Sequence, residues 1–231
     1  MNKLNKKFDS RRMVMLAVFC AIAFATMFVL RIKVNFLTFD AKDTVILIAA
    51  MLFGPSSGVI ISLVVATLEM ITVSDTGIYG FIMNFVSSAV FSVVASVIYR
   101  RAKNMLSAVL GLVCGVLSVT SVMMVLNLLI VPLYTPGVDA NAVAGMIPTL
   151  LLPFNLTKAS LNAALVAALY KPVSSALKKA RFIEGKDSGE YKLRGKSLVF
   201  LIVSVLVVIA CLLVLFLVLD GSFSLFREIG K

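Results

Sequence analysis

Seven apolar runs dominate the chain, at residues 13–30, 44–53, 58–73, 78–99, 105–131, 151–170 and 197–219. A helix that crosses a bilayer needs about 20 mostly apolar residues, because its own hydrogen bonds must satisfy every backbone N–H and C=O in the hydrocarbon. The runs predict an all-α integral membrane protein with seven crossings. With 61% of residues hydrophobic and only 14% charged, 231 residues carry too little polar surface to coat a water-soluble domain. The second run is short and extends back over residues 41–43 as a helix. Gly54, Pro55, Ser56 and Ser57 separate it from the third, a combination that stops one helix and starts another. One long kinked helix over 44–73 is the alternative, though it would far exceed an ordinary crossing. The first run is long and no small-residue cleavage site follows it, so it reads as a retained helix and not as a cleaved signal.

Orientation follows from lysine and arginine, which are retained in short cytoplasmic loops. Lys3, Lys6, Lys7, Arg11 and Arg12 precede the first run, Arg100, Arg101 and Lys103 follow the fourth, and the stretch from Lys171 to Lys196 follows the sixth. The intervening loops, 31–43, 70–77 and 132–150, hold Asp40, Asp43, Asp75 and Asp139 against Arg31, Lys33 and Lys42. The pattern predicts a cell-membrane protein with a cytoplasmic N-terminus. Its parts are a basic N-terminal segment (1–12), a six-helix membrane domain (13–180), a cytoplasmic polar linker (181–196), an extra transmembrane helix (197–219) and an external tail (220–231). The net charge of +11 is then the positive-inside bias plus attraction to an anionic inner leaflet, and needs no nucleic acid.

Several chemistries are disfavoured by composition. The chain has no histidine and no tryptophan, and Cys20, Cys114 and Cys211 lie in apolar runs without metal-ligand spacing. No G-x-x-x-x-G-K-[ST] occurs, so any nucleotide hydrolysis must come from a partner.

Polar groups within the runs are few: Glu69, Asn84, Asn127, Asn155, Lys158 and Asn162. All fall toward the outer ends of their helices or near mid-membrane, and ionisable groups there face a partner or a water-filled cavity. Asn155, Lys158 and Asn162 share one helical face at i, i+3 and i+7, with Pro153 in the first turn, where its missing N–H costs nothing. Two readings stand: a polar stripe lining an outward cavity, or interhelical hydrogen bonds with Lys158 snorkelling or paired to Glu69. In the first helix Ala17, Ala21 and Ala25 recur every four residues beside Ala23, a spacing that lets another helix approach closely in lipid.

The stretches FLTFDAKDTVILIAAMLFGPSSGVI (36–60) and PFNLTKASLNAAL (153–165), with the small-residue run of the first helix, resemble the riboflavin-specific S components of energy-coupling factor (ECF) vitamin transporters, over residues 10–180. The resemblance implies a six-helix subunit that binds a vitamin from outside and docks on a transmembrane T component with two ABC-type ATPases. Ala17, Ala21 and Ala25 match the family's docking motif, and Phe39, Asp40, Asp43, Asn127, Asn155 and Lys158 match its ligand positions. Asn84, Glu69 and Asn162 join the candidate ligand set as polar groups at the same depth. Riboflavin would be the transported ligand, with no cofactor and no metal.

The chemistry is compatible with such a ligand. A uracil-like edge offers carbonyl acceptors and an imide N–H; an asparagine amide can pair with it and a lysine ammonium can donate to it. Phe36, Phe39, Phe81 and Phe85 are aromatic candidates for sandwiching a flat ring. The chain departs from the family pattern in its seventh run, a uniformly apolar span expected to be a peripheral anchor with no part in the pocket. Loop 132–150, with Pro132, Pro136, Gly137 and Pro148, is expected to gate the site. An S component for another vitamin or a flavin-like compound, and a membrane enzyme or structural subunit, are the competing readings. The lack of histidine and of any nucleophile–base arrangement in the spans argues against an enzyme.

Overall fold

The structure, a computed structural model, describes residues 10–29, 31–34, 37–74, 76–135, 137–183, 196–219 and 222–223. Lys3, Lys6, Lys7, Phe36, Asp75, Pro136 and most of the expected linker and tail lie outside the described residues. The elements, in order, are α1 (Ser10–Val29), β1 (Ile32–Val34), β2 (Leu37–Phe39), α2 (Lys42–Phe53), α3 (Pro55–Thr72), α4 (Gly77–Ala102), α5 (Met105–Tyr134), α6 (Ala140–Met146), a π-helical turn (Ile147–Leu151), α7 (Leu152–Lys179), α8 (Lys196–Leu213), a second π turn (Val214–Val218) and β3 (Ser222–Phe223). α1 to α5 and α7 make the six-helix bundle, and α8 is the additional helix packed on α7.

The 44–73 region is two helices, not one kinked helix. α2 begins at Lys42, as its polar first turn suggests, and stops at Gly54, whose φ of 112° lies where a side chain would be strained. Pro55 then opens α3, where a missing N–H is tolerated. Two arginines fasten this corner. Arg12 donates to the Phe53 carbonyl at 3.2 Å and to Ser57 Oγ at 2.9 Å, and Arg100 to the Leu52 carbonyl at 3.4 Å. Cations on the last carbonyls of α2 offset the negative end of its dipole. The start of α1, the end of α4 and the α2–α3 corner therefore share one end of the bundle, here called the basic end.

α2 departs from the expected count of crossings. Six segments are long and apolar enough to span a membrane, and α2 is not one of them. Its 12 residues rise about 18 Å against a hydrocarbon thickness of about 30 Å. The chain entering α2 from the opposite end must therefore dip well below the membrane boundary before the helix starts.

That dip is made by a β-hairpin, which the all-α expectation did not include. β1 and β2 pair antiparallel with Ile32 opposite Phe39 and Val34 opposite Leu37, and β3 adds to the other edge of β1. Ile32, Val34 and Phe39 are buried against Phe154 and Leu161 of α7 and against Cys211, Leu215 and Leu219. The extra C-terminal segment is thus no detached anchor; its far end packs on the hairpin. Loop 132–150 is also more ordered than its prolines and glycine imply. α5 runs on to Tyr134, and α6 is capped by the Asp139 carboxylate, which accepts the Ala142 N–H at 2.8 Å. Val143 and Leu151 are buried against Val131. The helix widens to a π turn just ahead of Pro153, whose ring removes one donor from the regular ladder.

Close helix contacts in the bundle rest on small residues. A side chain at Gly111 of α5 would place Cβ 2.6 Å from the Ala95 carbonyl oxygen of α4, so only glycine permits this approach.

Candidate functional site

The loop between β2 and α2 and the first turn of α2 hold Asp40, Lys42 and Asp43, all at most 6% exposed. Ionised groups this deep are stable only when paired and hydrogen-bonded. Lys42 Nζ is salt-bridged to Glu69 near the end of α3, and lies 3.5 Å from Asp40 Oδ2. Lys158 Nζ, from α7, lies 3.3 Å from Asp40 Oδ2 and donates to the Thr38 carbonyl at 3.2 Å. Asp43 accepts a hydrogen bond from Ser88 of α4. Asp40, Glu69, Lys42 and Lys158 thus form one ion-pair network of two carboxyls and two ammoniums, with Asp43 next to Lys42 in the chain and held by Ser88 of α4. Burial pushes the Asp40 carboxyl up, but Lys158 and Lys42 beside it outweigh that and hold it below the usual carboxylate range.

Asn162 locks the network in place. Its Oδ1 accepts from the Thr44 N–H at 3.0 Å and from Thr44 Oγ1 at 2.6 Å, while its Nδ2 donates to the Asp40 carbonyl at 3.2 Å and the Lys158 carbonyl at 3.1 Å. Both amide donors and the amide acceptor are engaged by protein. Asn162 therefore clamps the start of α2 onto α7, which makes it a positioning residue in this geometry.

Asn155 lies one helical turn from Lys158 on the same face of α7, toward the hairpin end, and donates to the Leu151 carbonyl at 2.8 Å. Asn127 of α5 is fully buried; its Nδ2 donates to the Met123 carbonyl at 2.7 Å while its Oδ1 has no partner. A buried amide oxygen without a donor is uncommon in folded proteins; Ser62 Oγ and Thr120 Oγ1 are likewise without a partner. Asn84 is half-buried on α4, one turn from Ser88 toward the hairpin end. Phe81 and Phe85 stack on each other with centroids 6.2 Å apart. Phe39 packs away from the ionic network, in the apolar cluster shared with α8.

Of the expected site residues, then, Asp40, Asp43, Glu69, Lys158 and Asn162 are brought together, Asn155 and Asn84 extend from that group by one turn, and Phe39 backs it. The anticipated pairing of Lys158 with Glu69 is not formed: Glu69 pairs with Lys42, and Lys158 with Asp40. Sequence reasoning missed Lys42, Thr44 and Ser88. The signal for Lys42 was its place between two aspartates in FDAKD, where an unpaired loop cation would have no reason to alternate with acids.

On α1, Ala17, Ala21 and Ala25 are exposed, flanked by the exposed Val14, Val18 and Ile22, whereas Ala23 is wholly buried. The small-residue stripe faces outward from the bundle.

Bundle and network together define a multi-pass membrane protein with an ionic site recessed into one end of its helices. Comparison with known proteins supplies the family: the pattern for the ECF transporter substrate-specific component matches residues 11–173, and the chain belongs to that family. Among curated proteins it is 28% identical over 186 residues to the riboflavin transporter RibU of Staphylococcus aureus (strain TCH60), a match covering 77% of this chain and 97% of that one. It is 25% identical over 159 residues to the riboflavin transporter FmnP of Bacillus subtilis (strain 168), covering 64% and 84%. A solved structure, described as "Structure and mechanism of the S component of a bacterial ECF transporter", superposes with a TM-score of 0.62 at 29% identity, covering 73% of this chain and 98% of that chain. α8 lies beyond the family match.

Proposed function

We propose that this chain is the riboflavin-binding S component of an ECF importer, capturing the vitamin at the hairpin end of the bundle. The observation that carries the reading is the recessed group of Asp40, Lys158 and the neighbouring Asn155, built on the α2 and α7 starts, in a chain whose curated relatives are riboflavin transporters. Lys158 donates to a flavin carbonyl or ring nitrogen, and the Asn155 amide pairs with the uracil-like edge. The unpartnered Oδ1 of Asn127 is a further buried acceptor for a ligand N–H or O–H. Asp40 holds Lys158 in place and accepts hydroxyl donors.

The basic end is cytoplasmic in this reading, as the positive-inside rule requires, and the hairpin end faces outside. The outward stripe of Ala17, Ala21 and Ala25 receives the T component, and the paired ATPases supply the energy. With the site at the hairpin end, delivery inward in this reading proceeds by reorientation of the whole subunit against the T component, as the likeness to S components suggests. The π turn leads straight into α7 and α6 packs on that turn and on α5; in this reading the segment gates the site.

The test is flavin fluorescence quenching in detergent-purified protein. Wild-type protein is expected to bind tightly, and Lys158→Ala to weaken binding by at least about tenfold, the value of one lost hydrogen bond to a charged group. Folded wild-type protein that leaves riboflavin fluorescence unchanged would remove the vitamin assignment.

A further inference from the structure

Hydroxyls on the helices of this protein commonly bond the carbonyl one turn back. Thr67 donates to the Leu63 carbonyl, Thr72 to Leu68, Ser121 to Leu117 and Ser204 to Phe200, at 2.7, 2.7, 2.9 and 2.8 Å. Thr120 of α5 does not. It is 5% exposed, and its Oγ1 has no hydrogen-bond partner among the described residues. Two turns nearer the hairpin end, Asn127 Oδ1 is in the same state. Residues 120, 123 and 127 stand at i, i+3 and i+7 and are all buried, so the two orphaned atoms share the inner face of α5. Met123 between them belongs to the main core with Phe91 of α4 and Ala159 of α7. Ser62, the remaining orphan among the described residues, lies on α3, which packs on α1, α2 and α4.

The depth of Thr120 follows from the pairing of α5 with α7. A hollow walled by these two helices and α8 brings Leu112 and Val116 together with Ala163, Ala164 and Ala167. The helices run antiparallel, so one turn beyond Val116 on α5 meets one turn before Ala163 on α7. Thr120 is therefore level with Lys158 and Ala159, and Asn127 is about 10 Å nearer the hairpin end. From the facing helix, the orphaned pair spans the depth of the Asn155 and Lys158 site.

We propose that Thr120 is a specificity-determining residue of the riboflavin site, its hydroxyl meeting a hydroxyl of the ribityl chain while the ring system is held by Asn155 and Lys158. The inference rests on the riboflavin reading above and assigns the part of the ligand that reaches deepest. A buried hydroxyl left unpaired is destabilising, whereas a methyl group in its place is not. A polyol hydroxyl both donates and accepts, so it can satisfy a threonine whose own two roles are unfilled. The aromatic edge and methyl groups of a flavin can do neither.

The experiment titrates riboflavin and lumiflavin, the same ring system without the ribityl chain, into full-length protein in detergent by fluorescence quenching. Wild type, Thr120→Val and Ser121→Ala are compared, and the thermal midpoint of each is recorded without ligand. Thr120→Val is expected to weaken riboflavin binding about three- to tenfold, the worth of one neutral hydrogen bond, and to leave lumiflavin binding unchanged. Its unliganded midpoint should rise, because an unpaired hydroxyl has left the core. Ser121→Ala, whose hydroxyl is already bonded on the exposed side of α5, should leave both affinities unchanged. Undiminished riboflavin affinity in Thr120→Val, an equal loss for both flavins, or a lowered unliganded midpoint each overturns the proposal. Folded wild-type protein that quenches neither flavin removes the riboflavin reading and the role of Thr120 with it. Wild-type binding with Thr120→Val unaffected removes the role of Thr120 alone.

Discussion

Lys42 is the residue on which the network's charge balance turns. It is 2% exposed and lies against two carboxylates, Asp40 and Glu69, so it neutralises charge that lipid and protein cannot. Lys42→Met keeps the volume and removes the charge, leaving Glu69 without its cation. Breaking one side of a buried ion pair costs about 3–5 kcal/mol, and a lower thermal midpoint in detergent is the expected result; adding Glu69→Gln should restore part of it. Asp40 makes a separate prediction through pH. Its folded pKa is depressed, so the stability it contributes is fully present above its unfolded value of about 3.9 and is lost only as pH falls through the still lower folded value. Riboflavin affinity should therefore be flat, as far as Asp40 is concerned, from about pH 5 to pH 8. A tenfold change per pH unit inside that window that persists in Asp43→Asn, measured by fluorescence titration, would contradict it. Part of this site was legible in residue types: Glu69, Asn155, Lys158 and Asn162 stand out because polar groups in apolar runs are costly, whereas Asp40 and Asp43 lie in the 31–43 loop and were reached through the resemblance alone. What could not be read was partnership. Lys42 looked like a loop cation because nothing local says that α2 starts below the membrane surface, and Glu69 looked free for Lys158 for the same reason.

At the scale of elements, the least legible parts are those whose packing depends on neighbours. The hairpin was hidden because each strand is three residues long, too short for alternation to stand out. α6 was hidden behind proline and glycine, although Asp139 three residues ahead of Ala142 is an N-cap signal. The seventh run was legible as a helix but not in its role, since uniform apolarity does not say which face meets protein. In the structure Leu215 is wholly buried and belongs to the cluster with Ile32, Val34 and Phe39, the residues that hold the hairpin from behind. That hairpin ends in Thr38, Phe39 and Asp40, two of which contact Lys158. Leu215→Ala leaves a cavity worth about 2–5 kcal/mol where collapse is incomplete, and the nearest element able to relax is the hairpin. The expected outcome is a several-fold faster riboflavin release in stopped-flow fluorescence with little change in helicity. Leu217→Ala, at a side chain 75% exposed to lipid, serves as the control and should leave release unchanged.

For the whole molecule, the distribution of function over its surfaces is set by which helix faces remain uncovered. The ionic network occupies one end, the arginine-fastened corner the other, and α8 covers the α7 side while leaving α1 bare. α1 separates two alanine roles within three residues. Ala23 is fully buried in the main core beside Phe19 and Met27, so its smallness serves the bundle itself. Ala21 is exposed on the stripe with Ala17 and Ala25, where smallness serves nothing inside this chain and instead allows a second helix backbone to come close. The two positions therefore separate docking from folding. Ala21→Trp should leave riboflavin affinity and thermal stability unchanged in purified protein, because the ring projects into lipid. In cells carrying the T component and ATPases it should abolish uptake and co-purification, because the ring holds the partner helix away. Ala23→Trp overpacks the core and should lower the thermal midpoint, with loss of binding following from loss of fold. Normal uptake by Ala21→Trp would assign docking to another face, and the stripe would then be no more than a lipid-facing surface of small side chains.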